Sequence, residues 1–521
     1  MPIRRTLIAR ASPTAILLTT RRYSTTTAAT TTTTMASTPR TYEDAIRTLN
    51  TLQSNFAVIS AIRASGATMN TAAIPEMIEW ARRIGYSPSD FNCLNIIHVA
   101  GTKGKGSTCA FASSILSEYR RAGVLRKTGL YTSPHLRSVR ERIQVDGRPL
   151  GEADFARYFF EVWERVEASA AKEGRDPNDK PAYFRFLTLL AFHVYVRENV
   201  DTAVFEVGVG GEYDSTNIIE RPTATGITSL GIDHVAMLGD TIEKIAWNKA
   251  GIMKAGAAAF SVEQPTNAME VLNSRASERG VELNVVGVHP EIRDGSAKLG
   301  LAADFQMGNA SLAAALVGAH MQALGHPINV TPDGPLPEEV KRGLLNVEWP
   351  GRCQVMHQGS VEWNIDGAHT MESLDVAGKW FAGKSAEGKK PRTRVLIFNQ
   401  QNRDAPEKLL CALATSLQQH LGSEPLFDHA IFCTNITSKE QASKPDLISI
   451  GSDSDAVSAL TVQRALADAW KAVDPGAQTH VIRTIEEAVG VVRALDGDVH
   501  VLITGSLHLI GGVLEILDPA T

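Results

Sequence analysis

Lys105 stands between two glycines in the run Gly101-Thr102-Lys103-Gly104-Lys105-Gly106-Ser107-Thr108. These residue types suit a phosphate group. Glycines let backbone N–H groups turn toward an anion, a lysine adds a mobile charge, and a following hydroxyl can face a metal ion. Ile96, Ile97 and Val99 precede the loop as an apolar run; Ala110, Phe111, Ile115, Leu116 and Tyr119 follow it at helical spacing. Strand, glycine loop and helix start together form a phosphate cradle, with the positive end of the helix directed at the ligand. Gly106 separates the lysine from the first hydroxyl, which is not the usual spacing of such loops. A flexible surface turn is the plainer reading of a glycine-lysine run, and the flanking strand and helix speak against it.

Three more strand ends carry polar groups. Ala203-Val204-Phe205 leads to Glu206, then to the glycine turn Val207–Gly211 and to Asp214, Thr216 and Asn217. A carboxylate leaving a buried strand into such a turn can hold a hard cation through oxygen. Ala224–Leu230 reads as a strand ending in Gly231-Ile232-Asp233-His234, and Lys127–Tyr131 as one ending in Thr132-Ser133-Pro134-His135-Leu136. Taken singly, these are a solvated acid, a structural histidine and an ordinary turn. Parallel strands place their tips along one sheet edge, where open α/β sheets hold ligands, so Lys105, Glu206 and His234 are expected to share a site.

The elements that position them alternate. Helical stripes at 155–166 and 184–196, a helix over Thr241–Lys254 carrying Lys249, a strand over Ala257–Val262 and an alanine-rich helix over Asn309–Leu324 predict a parallel sheet. Tyr42 to about Tyr86 reads as helical and mobile. Pro332–Pro337 and Trp349-Pro350-Gly351-Arg352 break the pattern, which places a domain boundary there. Beyond it, strands at Val361–Ile365, Val395–Phe398, Ala430–Cys433 and Val501–Thr504 end in Asp366-Gly367-Ala368-His369, in Asn399 through Arg403-Asp404, and in Gly505-Ser506. Helical stripes at 456–473 and 485–495 lie between them.

A length of 521 residues calls for two domains. The formal net charge of -5 argues against nucleic acid or an anionic membrane as the main partner. Five scattered cysteines without metal-ligand spacing suit a reducing compartment. No apolar run approaches the roughly 20 residues of a membrane span. Residues 1–40 hold Arg4, Arg5, Arg10, Arg21, Arg22 and Arg40, no acid, and a threonine tract at 30–34. That is the composition of a mitochondrial presequence, with a disordered tail as the alternative. Met35 offers a second start and hence a cytosolic form.

Taken together, His98–Thr108, Tyr131–Leu136, Glu206–Asn217, Leu230–Gly239, Ala246–Lys254, Trp349–Arg352, Asp366–His369, Phe398–Asp404 and Thr504–Leu507 resemble the folylpolyglutamate synthase family of the Mur ligase superfamily, in the family's order. Lys103, where bacterial relatives usually carry Asn, resembles the eukaryotic members; Thr370 departs from the Asn common in bacteria. The resemblance implies a P-loop-type parallel-sheet ATPase domain over 41–348 and a smaller Rossmann-like α/β domain over 349–521. It implies an ATP-dependent ligase that adds L-glutamate to the γ-carboxylate of a reduced folate's terminal glutamate. ATP would be held by Gly101, Thr102, Gly104, Lys105, Gly106, Ser107, Thr108, Asn309, Arg352 and Asp366. One Mg²⁺ would lie on Ser133 and Glu206 and a second on His234, with a monovalent cation such as K⁺ admitted. Lys105, Lys249 and His369 would serve catalysis, Lys249 as a carbamate. Tyr131, Thr132, Pro134, His135, Arg403, Asp404 and Ser506 would contact folate or glutamate. A monomer is expected.

The chemistry suits the residues apart from the family. An amine cannot displace oxygen from a carboxylate until the carboxylate carries a leaving group, and phosphorylation by ATP provides one. No nucleophilic Ser or Cys is needed. Two facing domains can close over the site and keep water out. The alternatives are a dihydrofolate synthase acting on dihydropteroate, and a nucleotide-binding protein without catalysis. The second sits poorly with the presence of all seven of Lys105, Ser133, Glu206, His234, Lys249, Arg352 and Asp366.

Overall fold

The strand before the glycine loop lies inside an eight-stranded sheet of the computed structural model. Residues 40–53, 71–301, 303–386, 392–401, 405–422, 425–438, 446 and 457–519 are described. The expected presequence, apart from Arg40, lies outside them, as does Met35.

The first sheet has the order β4-β3-β2-β5-β1-β6-β7-β8. Its strands are β1 (Ile96–Ala100), β2 (Thr128–Tyr131), β3 (Ile143–Val145), β4 (Arg148–Pro149), β5 (Thr202–Glu206), β6 (Ala224–Ile227), β7 (Ala258–Val262) and β8 (Leu283–Val286). Strands β2, β5, β1, β6, β7 and β8 run parallel, and β3 and β4 add an antiparallel edge. β1 is buried along its whole length because helices cover both faces. Ile96 packs with Phe205 and the helices Glu152–Glu173 and Tyr183–Arg197. Ile97 and Val99 face the other way, toward the helices Lys105–Arg121, Gln306–Ala323 and Glu338–Leu345.

The second sheet has the order β13-β12-β11-β14-β10-β9. It comprises β9 (Gln354–Gln358), β10 (Val361–Ile365), β11 (Thr393–Phe398), β12 (His429–Cys433), β13 (Gln478–Ile482) and β14 (Val499–Thr504). All are parallel except β9 against β10. Arg40–Thr521 forms one compact unit that holds both sheets.

Several expectations need correction. The strand expected over Ala224–Leu230 stops at Ile227, because residues 228–231 spend their polar groups on the glycine loop. The helix expected over Thr241–Lys254 spans Ile242–Ala250, with Thr241 as its N-cap. The edge strands β3, β4, β8, β9 and β13 were not anticipated, since half-exposed short strands lack a strong apolar period. Tyr42–Asn50 and Ala73–Arg83 are helices.

Under the glycine loop, His98 of β1 is fully buried. Thr216 Oγ1 donates to Asp214 Oδ1 at 2.6 Å, so His98 Nε2–H is left to donate to Thr216 Oγ1 at 2.8 Å. Burial pushes the His98 imidazole down to about 3, and His135 to about 3 for the same reason, with Arg142 adding to it. Both rings are therefore neutral when folded and take up protons near 6.5 when unfolded. The unfolded chain binds more protons across that window, so their contribution to stability is complete above about pH 6.5 and is lost as pH falls toward 3. His98→Gln is expected to flatten the fall of Tm between pH 6.5 and 4.5, by up to about 1.4 kcal/mol per pH unit of stability slope. Parallel Tm–pH curves for variant and parent would show that His98 is not held neutral.

Candidate active site

The register of the first sheet sets the strand tips side by side. Val99 pairs with Glu206, Tyr131 with Phe205, and Ala100 with Ile227. The loop that leaves β1 is clamped by the segment that leaves β6. Thr102 and Lys103 N–H both donate to Ser229 O, at 2.9 and 3.1 Å. Thr228 Oγ1 donates to Lys103 O at 2.6 Å, and Gln264 Nε2 holds Thr228 O at 2.9 Å. Gly101 has φ +151°, and a Cβ there would lie 1.7 Å from Thr228 Oγ1. Gly104, at φ +86°, would collide in the same way with Asn309 Oδ1. Both positions therefore demand glycine.

Gly104 begins the helix Lys105–Arg121 without any side-chain cap. The first-turn N–H groups are thus left for a ligand. Lys105 is half-buried and makes no hydrogen bond or ion pair with the described residues, so its ammonium is free to meet a phosphate. Gln306 Nε2 reaches Ser107 Oγ at 3.3 Å and its Oε1 accepts from Asn309 Nδ2 at 2.9 Å. This places Asn309 under the loop. The indole of Trp349 lies over Gly106.

Glu206 is buried, and its Oε2 accepts from Ser133 N–H at 2.9 Å. Burial raises its carboxyl above the usual range, opposed chiefly by Lys105 and then by the Ser133 N–H and Arg352. It has no ion-pair partner among the described residues. A buried carboxylate so placed fits a hard cation, which would supply the missing charge. His234 is exposed, in a left-handed conformation at φ 51°. No group of three or more His, Cys, Asp or Glu that could hold a metal ion occurs among the described residues. The structure thus joins Ser133 and Glu206, and His234 stands apart from them, exposed at the start of the helix Val235–Leu238.

Lys249 is buried and donates from Nζ to Gly101 O at 2.7 Å. Burial pushes its amine well below the usual lysine range, and Lys105 adds to the effect. The neutral amine this favours is the form that reacts with CO₂. Lys103 is taken by Asp233, at 3.4 Å.

From the second sheet come Asp366 and His369. Asp366 is buried and accepts from the N–H of Cys353 and of Ala368, each at 2.9 Å. Burial raises its carboxyl, with Arg352 opposing. The Arg352 guanidinium bonds only to Gly351 O among the described residues. It is therefore free to take an anion. His369 Nδ1 is bonded to Gly367 O at 2.8 Å. Ser506 opens the helix Leu507–Leu517 without capping it. Thr132 and Pro134 line a groove beside these groups. Tyr131 does not: its ring is fully enclosed between Phe205 and Phe184 and its hydroxyl bonds Thr188 at 3.0 Å. It supports the sheet. His135 is tied to Arg142 Nε at 2.9 Å and to Asp446 O at 3.2 Å. Arg403 and Asp404 lie outside the described residues.

Sequence reasoning missed Thr228, Gln264, Trp349 as a loop contact, and Cys353. Trp349 had a signal, since it sits in the Trp-Pro-Gly-Arg run that marks the boundary and supplies Arg352 to the family resemblance, where Trp349 itself was given no role. Cys353 carries the left-handed φ of 45° that aims its N–H at Asp366, and nothing in a single sequence marks such a residue.

Residues 352–516 match the family model described as dihydrofolate synthetase, C-terminal domain. The chain is 47% identical over 494 residues to a folylpolyglutamate synthase of Neurospora crassa, covering 93% of each. It is 48% identical over 489 residues to a folylpolyglutamate synthase of Saccharomyces cerevisiae, covering 92% of this chain and 87% of that one. Among solved structures, Mycobacterium tuberculosis folylpolyglutamate synthase complexed with ADP matches with a TM-score of 0.66 at 23% identity, over 91% of this chain and 99% of that one. The apo form of L. casei FPGS gives 0.65 at 22%, over 89% and 100%. These last two attest to the fold.

Lys105 and Lys249 should separate in their effects. Lys105→Ala is expected to cut turnover at least ~100-fold, the scale of one lost electrostatic donor, with Tm unchanged. Lys249→Met removes a buried amine with no ion-pair partner, so Tm should hold or rise while activity is lost. Melting curves beside initial rates test both. A fully active Lys105→Ala, or a Lys249→Met that melts early, would contradict the assignment.

Proposed function

The chain belongs to the folylpolyglutamate synthase family, and from that premise we propose that the groups around Lys105 activate the γ-carboxylate of a folate's terminal glutamate as an acyl phosphate. The enzyme is an ATP-dependent ligase that adds glutamate to folates. The observation that carries the reading is a free Lys105 and an unpaired Glu206 on one edge of the first sheet, met by the Arg352 guanidinium from the segment that leads into the second.

In this reading the uncapped helix start, Gly104, Lys105 and Gly106 hold the ATP phosphates, and Lys105 follows the charge that develops on the transferring phosphoryl group. Asn309, Arg352 and Asp366 meet the rest of the nucleotide. Glu206, fixed by the Ser133 N–H, would hold Mg²⁺, which neutralises phosphate charge and polarises the phosphoryl oxygens; His234 and a monovalent cation such as K⁺ are assigned on the family resemblance alone. Lys249 would carry a carbamate. Partial rescue of Lys249→Ala by formate or acetate would distinguish a carbamate from an amine. The incoming glutamate amine then attacks the acyl carbon and phosphate leaves; His369 and Ser506, at strand ends of the second sheet, are assigned to this step on the family resemblance alone. Activity as a monomer is assigned on the family resemblance alone.

Dihydropteroate as acceptor is the competing reading, favoured by the description of the matched C-terminal family model. Glutamate-dependent ADP release with tetrahydrofolate against dihydropteroate decides between them. Tetrahydrofolate is expected to support turnover and dihydropteroate not; the reverse would overturn the assignment, and ADP release with neither would indicate a protein without this chemistry.

The arginine-rich, acid-free start of the chain supports mitochondrial import, with a cytosolic form from Met35. Residues 1–34 fused to a fluorescent reporter should carry it to mitochondria, and a chain begun at Met35 should stay in the cytosol. Identical distributions would refute the presequence.

A further inference from the structure

A groove of about 1540 Å³ opens beside the phosphate loop and runs away from it. At its near end lie Thr132, Pro134, Trp349 and Arg352. These touch the site directly: Ser133 N–H holds Glu206, and Trp349 lies over Gly106. Its floor is the helix Lys105–Arg121, which presents Ala110, Ser113, Ser114 and Ser117 and then Arg120 and Arg121. Those positions recur every three or four residues and so share one face. Small residues keep the channel open along the helix. Eleven residues at 1.5 Å each make it about 16 Å long. Arginines gather at the far end, where Arg148 of β4 faces Arg120 and Arg121.

The far end is positively charged and incompletely satisfied. Arg148 is exposed and has no acid partner among the described residues. Arg120 Nε meets Asp146 Oδ1 as an ion pair at 3.3 Å without hydrogen-bond geometry, and no other acid is paired with its guanidinium nitrogens among the described residues. Arg140, also on the groove, has an unsatisfied Nε as well. Seven acids line the groove. Asp146 and Glu152 are paired with Arg120 and Arg140, and Glu43 with Arg47. Glu141 accepts from the N–H groups of Leu136, Arg137 and Ser138, and Asp446 accepts from Tyr42 and Val139 N–H. Glu348 and Glu515 come from the boundary segment and the helix Leu507–Leu517, away from the arginines of the helix Lys105–Arg121 in sequence.

Resting on the reading of the site as one that activates a terminal γ-carboxylate, we propose that this groove is the track for the γ-linked glutamyl tail already present on the substrate, with Arg120 and Arg148 reading its α-carboxylates. The geometry requires such a track. The reacting carboxylate must always lie at the phosphate loop, so each added glutamate pushes the earlier part of the substrate back by one unit. A γ-linked unit spans roughly 6 Å, an α-linked residue's ~3.6 Å lengthened by two methylenes, so the groove takes about two to three of them. Each unit carries one free carboxylate, the group that guanidinium binds best. A flat aromatic head group would find little to stack on along a floor of alanine and serine.

The test compares pteroylmonoglutamate with pteroylpentaglutamate as acceptors for the full-length parent and for the double variant Arg120→Gln/Arg148→Gln. KM for the pentaglutamate should rise about fivefold to tenfold, the scale of two partly exposed ion pairs, while KM for the monoglutamate and both kcat values stay within twofold. Raising salt should weaken the parent's hold on the pentaglutamate toward the variant's value. A free γ-linked pentaglutamate peptide should inhibit the parent competitively and the variant several-fold less. Equal KM rises for both acceptors would place the pteroyl head group at the arginines instead, and unchanged KM for both would leave the groove without substrate; either result overturns the track. A parent that adds glutamate to neither acceptor would refute the ligase reading, which is a separate outcome.

Discussion

Glu206 and Lys249 are buried groups of opposite character on one sheet edge, and neither has an ion-pair partner among the described residues. Withdrawing a charge from water without a partner costs several kcal/mol, so a structure that buries Glu206 holds it for a ligand, while burial favours Lys249 as the neutral amine. The fold meets that demand by placing Glu206 on the last ladder position of β5 and Lys249 on the helix Ile242–Ala250, whose amine reaches Gly101 O at the end of β1. Long side chains reaching in from the surface would lose more rotamer freedom and hold position less well. The missing countercharge of Glu206 has a natural donor in a cation, and the half-buried Lys105 beside it has one in phosphate oxygens. Ligand binding and stability are therefore linked, because whatever supplies those charges binds the folded chain alone.

The same edge explains why the loop is rigid where flexibility might have been expected. Its glycines do not leave it loose. Gly101 and Gly104 press against Thr228 and Asn309, and the segment after β6 takes up the N–H groups of Thr102 and Lys103. Backbone donors fixed before the ligand arrives lose little entropy when it binds, and they stay aimed at the charge that develops during transfer.

Much of this was legible in the sequence, and the limits have physical causes. The glycine loop, the tips at Glu206 and Asp366 and the two α/β halves could be read because apolar runs broken by glycine and acid are strong local signals. The specific roles of Ser133, Lys249 and Arg352 came only with the family resemblance. Tyr131 was misplaced because a tyrosine at a strand end suits either side of a sheet; its position one residue from Leu130, which faces the other core, turns it inward. The strand end at Ile227 was overrun because Thr228, Ser229 and Leu230 look like strand, and only the presence of the loop beside them shows where their hydrogen bonds go. The groove along the helix was invisible, since its lining joins residues from six separate stretches.

The loop that carries Ser133 belongs to both halves of the molecule. Leu136 packs against the core of the second sheet, beside Ile510 and Gly351. A Cβ on Gly511 would come within 1.9 Å of Leu136 O, so the helix Leu507–Leu517 meets that loop backbone to backbone. Asp446 adds a second tie, accepting from Tyr42 and from Val139 N–H. A loop so tightly held moves with the second sheet. Three residues before Leu136, the Ser133 N–H fixes the Glu206 carboxylate. Any shift of the second sheet against the first therefore reaches Glu206 through three residues of chain, while Arg352 and Asp366 move with the second sheet itself. The position of one half thus sets the carboxylate and the guanidinium together, which ties assembly of the site to the approach of the two sheets and leaves the phosphate loop, clamped within the first, as the fixed reference.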